Sequence, residues 1–392
     1  FKKMNHESQP LLGNSRDVES APTFWSSAKV SFTNSYFNLL LIFVPIALIF
    51  SIIGASDTVV FSLNFIAIIP LAKMLGFATE ELALRTGSTI GSLLNATFGN
   101  AVELILGVIA LKEGLIRVVQ ASILGSILSN ILLVSSYSLL AVLGFCFLLG
   151  GLTRSEQEFS SIAAQTSSSL LSLTVLALLV PAAFATVAGE GEQATQGILA
   201  LSHGTSIVLL IVYVLYLVFQ LKTHTQFFED EVDEEELPST TLAFSTVLLI
   251  AVAGLVSMHA DYLVGAIEGV VDQWGINQTF VGIILLPLVG NAAEHVSSVT
   301  FAMKNKMNLC IGVALSSSLQ IGLLVTPVLV IAGWIIGQPM TLFFEDFETV
   351  ILFASVLIVN YLIQDARSNW LEGALLLAAY AIVALAFWFH PG

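Results

Sequence analysis

Two short runs in a strongly apolar chain hold residues that could do chemistry. Gly99-Asn100-Ala101-Val102-Glu103 and Gly290-Asn291-Ala292-Ala293-Glu294 differ at one position. Each sets an amide and a carboxylate three residues apart, so that they share a helix face. Each opens on a glycine, which weakens a helix, and Pro287 removes a further backbone hydrogen bond from the second. Carbonyl oxygens freed at such a break are natural cation ligands. Ser126, Ser129, Ser317 and Gln320 lie on the next apolar runs and could add to the set. Two carboxylates, two amide oxygens, hydroxyls and carbonyls form an all-oxygen donor set. Such a set suits a hard divalent cation, calcium above all, with manganese possible. No His or Cys cluster favours zinc or copper.

Two carboxylates in a low-dielectric site cannot both stay ionised cheaply, so protons compete for them, while a doubly charged cation favours the ionised pair. One site could then hold a divalent cation or protons, which is the minimal chemistry of an antiporter. A lone intramembrane carboxylate could instead be hydrogen-bonded between helices, but such residues are costly to bury and functional by default. Two copies strengthen that default. For the serines and Gln320, helix packing is an equal reading, because small hydroxyl residues also serve close helix contacts. By the same argument Thr166 to Ser169 reads as a packing face and His203 as a packed polar residue. His295 follows Glu294 directly, where neighbours point to different sides of a helix. It stands between a supporting partner and packing.

The elements that position these residues follow from composition. Of 392 residues, 56% are hydrophobic and only 10% charged. A soluble domain carries roughly a quarter charged residues. The composition excludes an ordinary globular enzyme, a nucleic-acid binder and a disordered chain. It leaves a polytopic membrane protein of helices, since open sheets cannot span a bilayer. Cys146 and Cys310 both sit in apolar runs and offer no disulfide framework. The polar first ~30 residues do not read as a cleavable signal peptide.

Apolar runs at 36–54, 58–76, 88–111, 117–150, 161–187, 197–221, 240–258, 278–303, 308–337, 342–363 and 371–389 predict eleven transmembrane helices. The stretch 308–337 could hide two short spans. Thr79 to Thr86 reads as a short helical connector at the membrane surface. With a cytosolic N-terminus, the cytosolic ends collect Lys29, Lys73, Arg85, Arg154, Lys222, Lys304, Lys306 and Arg367, against Lys112 and Arg117 on the far side. Adding Lys2, Lys3 and Arg16 makes the asymmetry 11 to 2, as the positive-inside rule requires. The C-terminus then lies on the far side, which also collects Asp57, Glu190, Glu192, Asp261, Glu345, Asp346 and Glu348.

The two motifs are offset by 191 residues, from Glu103 to Glu294. The same offset aligns Ser126 with Ser317, Leu128 with Leu319 and Ser129 with Gln320. It maps the third span onto the eighth. A shift of five is odd, so the second copy starts on the opposite side. The expected fold is all-α: a cytosolic tail (1–35), one leading helix (36–54), a five-helix repeat (56–223), a linker (224–238) and an inverted five-helix repeat (239–392). Inverted repeats recur in secondary transporters, with the site near the midplane.

The linker contains Glu229, Asp230, Glu231, Asp233, Glu234, Glu235 and Glu236, seven of the 28 acids behind the net charge of −15. It reads either as a solvated charge run or as an amphipathic acidic helix that gathers or senses Ca²⁺ at the cytosolic mouth. It lacks the spaced ligands and glycine of an EF-hand loop.

The paired motifs, with the acidic segment between them, resemble the signature repeats of the cation/proton exchanger family of the calcium/cation antiporter superfamily. The resemblance covers nearly all of the chain after the first ~35 residues. It implies a carrier with no bound cofactor that moves cytosolic Ca²⁺ into an acidic vacuole in exchange for H⁺, by alternating access. The gradient would come from a vacuolar proton pump. It also implies that Glu103 and Glu294 are the essential acidic pair. Gly99, Asn100, Gly290 and Asn291 would belong to the metal-binding region, with Ser317 and Gln320 as its polar partners. Two rival readings stay open. A sodium-coupled calcium exchanger would share the fold but demand Na⁺. An intramembrane enzyme would use the paired carboxylates, but the chain has no His-Glu-x-x-His and no nucleophile with an obvious base.

Overall fold

Apolar runs of this length fold as helices because a helix satisfies its own backbone groups where no water can. The computed structural model describes residues 22–86, 88–132, 146–149, 151, 156–189, 191–227 and 237–390. The acidic residues Glu229, Asp230, Glu231, Asp233, Glu234, Glu235 and Glu236 lie outside the described residues.

A short helix, α1 (Phe24–Thr33), opens the described chain on a capping box between Thr23 and Ser26. A 3₁₀ turn (Tyr36–Ile42) leads into α2 (Phe43–Ile52). Helix α1 and the segment Tyr36–Ile52 meet at 95°. On α1, Ser27 and Ser31 are buried, whereas Phe24, Trp25 and Phe32 are exposed. The segment expected as a tail is therefore ordered against the helices, with Ser27 accepting from the Thr241 N–H at 3.0 Å and Phe24 edge-on to Phe244.

Next come α3 (Asp57–Thr86), α4 (Ser88–Phe98), α5 (Ala101–Lys112) and α6 (Ile116–Ile131). The first half closes with α7 (Ser161–Ala188) and α8 (Glu192–Val218). The second half holds α9 (Leu242–Gly265), α10 (Ile267–Trp274), α11 (Gln278–Gly290) and α12 (Ala292–Met303). It ends with α13 (Met307–Ile336), α14 (Asp346–Leu362) and α15 (Trp370–Phe389).

Among the described residues, six helices are long and apolar enough to cross a membrane: α3, α7, α8 continued to Thr223, α9, α13 and α15. The bent pair of α1 with residues 36–52 would make seven. The other expected spans depart for identifiable reasons. The runs 88–111 and 278–303 are each broken inside the signature motif. The run 117–150 continues past α6 into residues 133–145, outside the described residues. The run 342–363 yields only the 17 residues of α14. Two details of the sequence reading change. Residues 79–86 are the last turns of α3, so Arg85 lies within a helix rather than in a surface connector. The run 308–337 is one helix with a π-helical turn at Ile321–Val325. A two-residue antiparallel pair, β1 (Gln157–Glu158) with β2 (Arg367–Ser368), is the strand structure among the described residues. Arg367 bridges Glu156 and Glu158 there at 3.3 Å, in the open, where such pairs contribute little.

The two halves pack into each other rather than side by side. Helix α3 runs along α9, and α6 against α11. At the α6–α11 contact the backbones nearly touch: a Cβ on Gly125 would meet the Ile283 backbone, and one on Gly282 would meet Ala121. Near the start of α6, Arg117 pairs with Glu348 and Glu345 of the α14 turn, each at 2.9 Å. The Glu348 side chain is fully buried, so removing Arg117 would leave an uncompensated charge. At the opposite end, Glu81 accepts four hydrogen bonds from the backbone and hydroxyls of Ser239 and Thr240, at 2.5–3.2 Å. Arg85 donates to the Thr240 carbonyl. This clamp joins the end of α3 to the entry of α9.

Close packing at Gly125 predicts a test. Gly125→Ala should lower the midpoint of thermal unfolding in detergent, since overpacking costs about 1–3 kcal/mol. Gly254→Ala on α9, where the added carbon meets nothing within 4 Å, should not.

Candidate functional site

The local sequence dictates a break in each motif helix. Gly99 and Gly290 weaken the helix, and the chain leaves helical geometry at Asn100 (φ −104°, ψ 23°) and Asn291 (φ −89°, ψ 0°). The sequence reading set Asn100 and Glu103 on one helix face. In the structure each Asn instead occupies the break and each Glu lies in the first turn of the half-helix that follows. A half-helix N-terminus carries partial positive charge and unpaired N–H groups, which favour a carboxylate. The preceding half-helices, α4 and α11, turn their carbonyl ends toward the same breaks.

Gly290 has a second role. A Cβ there would collide with the Glu103 carboxylate, so the glycine of one motif makes room for the acid of the other. Glu103 and Glu294 are within Coulombic range of each other, and Lys73 of α3 is within range of Glu294.

The amides cross between halves. Asn100 Nδ2 donates to Gln320 Oε1 at 2.5 Å, and Asn291 Nδ2 donates to Ser129 Oγ at 2.8 Å. Ser129 and Gln320 are equivalent under the 191-residue offset, so these are two versions of one contact. Ser129 Oγ donates to the Ser126 carbonyl at 3.0 Å. Ser317 Oγ donates to Glu294 Oε2 at 2.8 Å, while Glu103 Oε2 is buried with no hydrogen-bond partner among the described residues. Asn291 Oδ1 is likewise buried and unpartnered. Buried polar atoms are nearly always satisfied, so two such oxygens in one place mark a donor set built for something else.

The two carboxylates face different spaces. Glu294 lines a cavity of about 400 Å³ with Asn95, Gly99, Tyr216, Ser317 and Gln320. The same cavity reaches Ser160, Asn308, Gln226 and Phe227, at the ends of α7, α13 and α8. Glu103 faces a separate space of about 20 Å³ between Ser122, Ser126, Leu286 and Leu329.

The predicted residues Gly99, Asn100, Glu103, Ser126, Ser129, Gly290, Asn291, Glu294, Ser317 and Gln320 are thus drawn into one region. His295, fully buried, hydrogen-bonds Asn130 Oδ1 at 3.2 Å, and Asn130 Nδ2 donates to Ser317 Oγ at 3.0 Å. Its partner is therefore a group that itself holds Ser317. Asn130, Ser316 and Tyr216 escaped the sequence reading. Asn130 aligns with Ile321, so a search for repeats passes over it. An intramembrane asparagine four residues after Ser126 was the available signal. His203 stacks on Trp334 with centroids 4.2 Å apart, as a packed ring would.

The chain as a whole resembles known proteins. The profile of the sodium/calcium exchanger protein family matches residues 56–222 and 244–389. The chain is 48% identical to the vacuolar calcium ion transporter of Schizosaccharomyces pombe, over 98% of this chain and 94% of the relative. It is 47% identical to the Ca²⁺/H⁺ antiporter of Aphanothece halophytica, over 91% of this chain and 97% of the relative. Among solved structures it resembles native YfkE, with a TM-score of 0.76 and 38% identity over 90% of this chain and 99% of that one. With the family profile covering most of both halves, the chain belongs to the sodium/calcium exchanger protein family.

Proposed function

We propose that the protein is a secondary active antiporter that exchanges cytosolic Ca²⁺ for H⁺ across the vacuolar membrane. The observation that carries this reading is the pair of carboxylates at equivalent helix breaks, with Glu103 Oε2 and Asn291 Oδ1 buried and unsatisfied. The names of the relatives support it, and so does the family match in two segments, which fall within the two proposed repeats. A pair of carboxylates with amide and hydroxyl oxygens can hold Ca²⁺, and Mn²⁺ is a second candidate cargo of the same donor chemistry.

The cycle follows from competition. Asn291 spends its N–H on Ser129 and is left with its oxygen for a cation. Ca²⁺ would enter the cavity that Glu294 lines and bridge Glu294 to Glu103. A rearrangement would then close that cavity and open the space at Glu103 to the other side. Protons from an acidic lumen would neutralise the carboxylates, release the ion and reset the carrier. In this scheme a leading helix precedes two inverted five-helix halves, 56–223 and 239–392, for eleven spans. The N-terminus is cytosolic, the C-terminus lumenal, and a vacuolar proton pump maintains the gradient. The cavity at Glu294 is reached past the ends of α7, α8 and α13, and Lys222, Lys304 and Lys306 lie near the ends of α8 and α13 in sequence. That basic bias supports a cytosolic opening.

Proteoliposomes with an imposed pH gradient should take up Ca²⁺ without sodium; uptake that demands Na⁺ would sink this reading in favour of the sodium-coupled one. Glu103→Gln and Glu294→Gln should each reduce exchange to background while the protein still elutes as a folded species, because Gln keeps the shape and loses the titratable charge. Transport near the wild-type rate in either variant would refute the paired-carboxylate mechanism. Gly290→Ala should displace the Glu103 carboxyl and lower uptake roughly 10- to 100-fold, as ångström-scale misplacement does to positioned groups.

A further inference from the structure

Helix α1 turns its faces the opposite way from a helix on a water-soluble fold, which buries apolar residues and leaves polar ones outside. Its buried residues are the polar Ser27 and Ser31, at 0% and 2% exposure, while Phe24, Trp25 and Phe32 are open at 60%, 81% and 59%. At about 3.6 residues per turn, Phe24, Trp25, Ala28 and Phe32 share one sector, and the exposed Ser26 and Thr33 share another. Lys29, also exposed, falls on the border between those two sectors. The helix thus has three faces: one polar and set against protein, one apolar and open, one polar and open.

Its direction is fixed as well. The segment Tyr36–Ile52 packs along the spanning helix α3, and α1 leaves it at 95°. Hydrogen bonds hold this corner. Asn38 Nδ2 donates to the Ser31 and Phe32 carbonyls at 2.8 and 3.0 Å, near the end of α1 where carbonyls lack a helical partner. Ser35 Oγ accepts from the Phe37 N–H at 3.3 Å and starts the next turn. Nearer the start of α1, Ser27 Oγ accepts from the N–H of Thr241, the residue that caps α9. A helix at right angles to one span and level with the first residue of another lies along the bilayer surface. Its apolar face continues surfaces that a membrane must cover. Phe24 meets Phe244 beside the exposed Leu242 of α9, and Tyr36, Leu39 and Ile42 are exposed beyond the corner. From residue 22 to residue 56 the sequence holds no acid, and Lys29 is its one basic residue, so the segment carries a charge that suits lipid phosphates.

We infer that α1 is an interfacial helix docked on the lipid surface. Phe24, Trp25 and Phe32 enter the boundary between headgroups and acyl chains, Lys29 reaches up to the phosphates, and Ser26 and Thr33 face water. The inference rests on the reading of the chain as a membrane carrier, which sets this surface on the cytosolic side. It gives the lipid surface a hold on the carrier, because Ser27 binds Thr241 next to Thr240, which Glu81 and Arg85 clamp to α3.

The test places a nitroxide at position 25 or 33, through Trp25→Cys or Thr33→Cys in the otherwise intact chain. The protein is reconstituted in vesicles of phosphatidylcholine and phosphatidylserine. Cys146 and Cys310 are fully buried, and wild type taken through the same labelling is the blank. Spin relaxation by oxygen, which collects in hydrocarbon, is compared with relaxation by a water-soluble nickel chelate. The preference should reverse between the two positions: oxygen at 25, with the label about 5–10 Å below the phosphates, and nickel at 33. Phe32→Cys gives a second reading of the apolar face and should agree with position 25. Nickel preference at both 25 and 33 would put α1 in water and overturn the inference. Oxygen preference at both, with labels near the bilayer centre, would put it inside the hydrocarbon and overturn it too. So would shielding of positions 25 and 32 from both reagents, which would mean that residues 1–21 or a second copy of the chain cover the face. The spectra are read without Ca²⁺ or a gradient. If wild type does not exchange Ca²⁺ for protons, the antiport reading falls while the place of α1 is still decided.

Discussion

The constraint on which everything else depends is that a helix cannot be broken in a hydrocarbon phase unless protein takes over the freed backbone groups. Each motif leaves helical geometry at Asn100 or Asn291, and the opposite half supplies hydrogen-bond partners for the side-chain amides that stand there. Asn100 reaches Gln320, and Asn291 reaches Ser129. The halves therefore cannot separate without exposing both breaks. The near contact of backbones at Gly125 and Ile283, and the room that Gly290 leaves for Glu103, express the same demand in packing terms. Small residues stand where one half must enter the other.

A break also solves an electrostatic problem that intact helices would not. A carboxylate in mid-helix would face only apolar neighbours. At the start of a half-helix, it meets the positive end of the dipole and N–H groups with no helical partner. Glu103 and Glu294 both occupy that first turn. The carbonyl ends of α4 and α11 meet the same points from the other side and suit a cation. An acid, and a cation where one binds, would thus each be matched to one half of a broken helix.

Much of this was legible in the sequence, because charge is so scarce in the chain that each polar residue in an apolar run stands out. The paired motifs, their fixed offset and the glycine at each break all follow from residue identity alone. What escaped notice had no symmetry mate or no polarity. Asn130 aligns with an isoleucine, and Ser316 with Gly125, so comparison of the halves hides both. Tyr216 sits in a run of Val and Leu, where a tyrosine reads as one more apolar side chain. The break geometry was also misjudged: spacing of three implied a shared helix face, but Asn100 lies outside the helix that holds Glu103. The end of α3 was cut short, because Glu80, Glu81 and Arg85 looked like a surface connector. In three dimensions Glu81 and Arg85 are consumed by Ser239 and Thr240.

Equal motifs in the two halves do not make an equal site, and the inequality has a functional sense. Glu294 faces a cavity of about 400 Å³, while Glu103 faces one of about 20 Å³. If both faced open water together, the ion path would be a channel. If neither did, nothing could load. One open and one closed carboxylate is what a carrier needs at each half-cycle. In the proposed scheme, two halves of opposite orientation would offer a physical route to the other state, because exchanging their conformations would interchange the surroundings of the two acids. The hydrogen-bond partners are less symmetric than the acids. Glu294 is held by Ser317, Asn130 and His295 in series, whereas Glu103 leaves an oxygen unsatisfied. In the proposed cycle the two half-cycles would therefore differ in energy even though the motifs are nearly the same, which alters the rates of the steps and leaves the direction of exchange to the gradients.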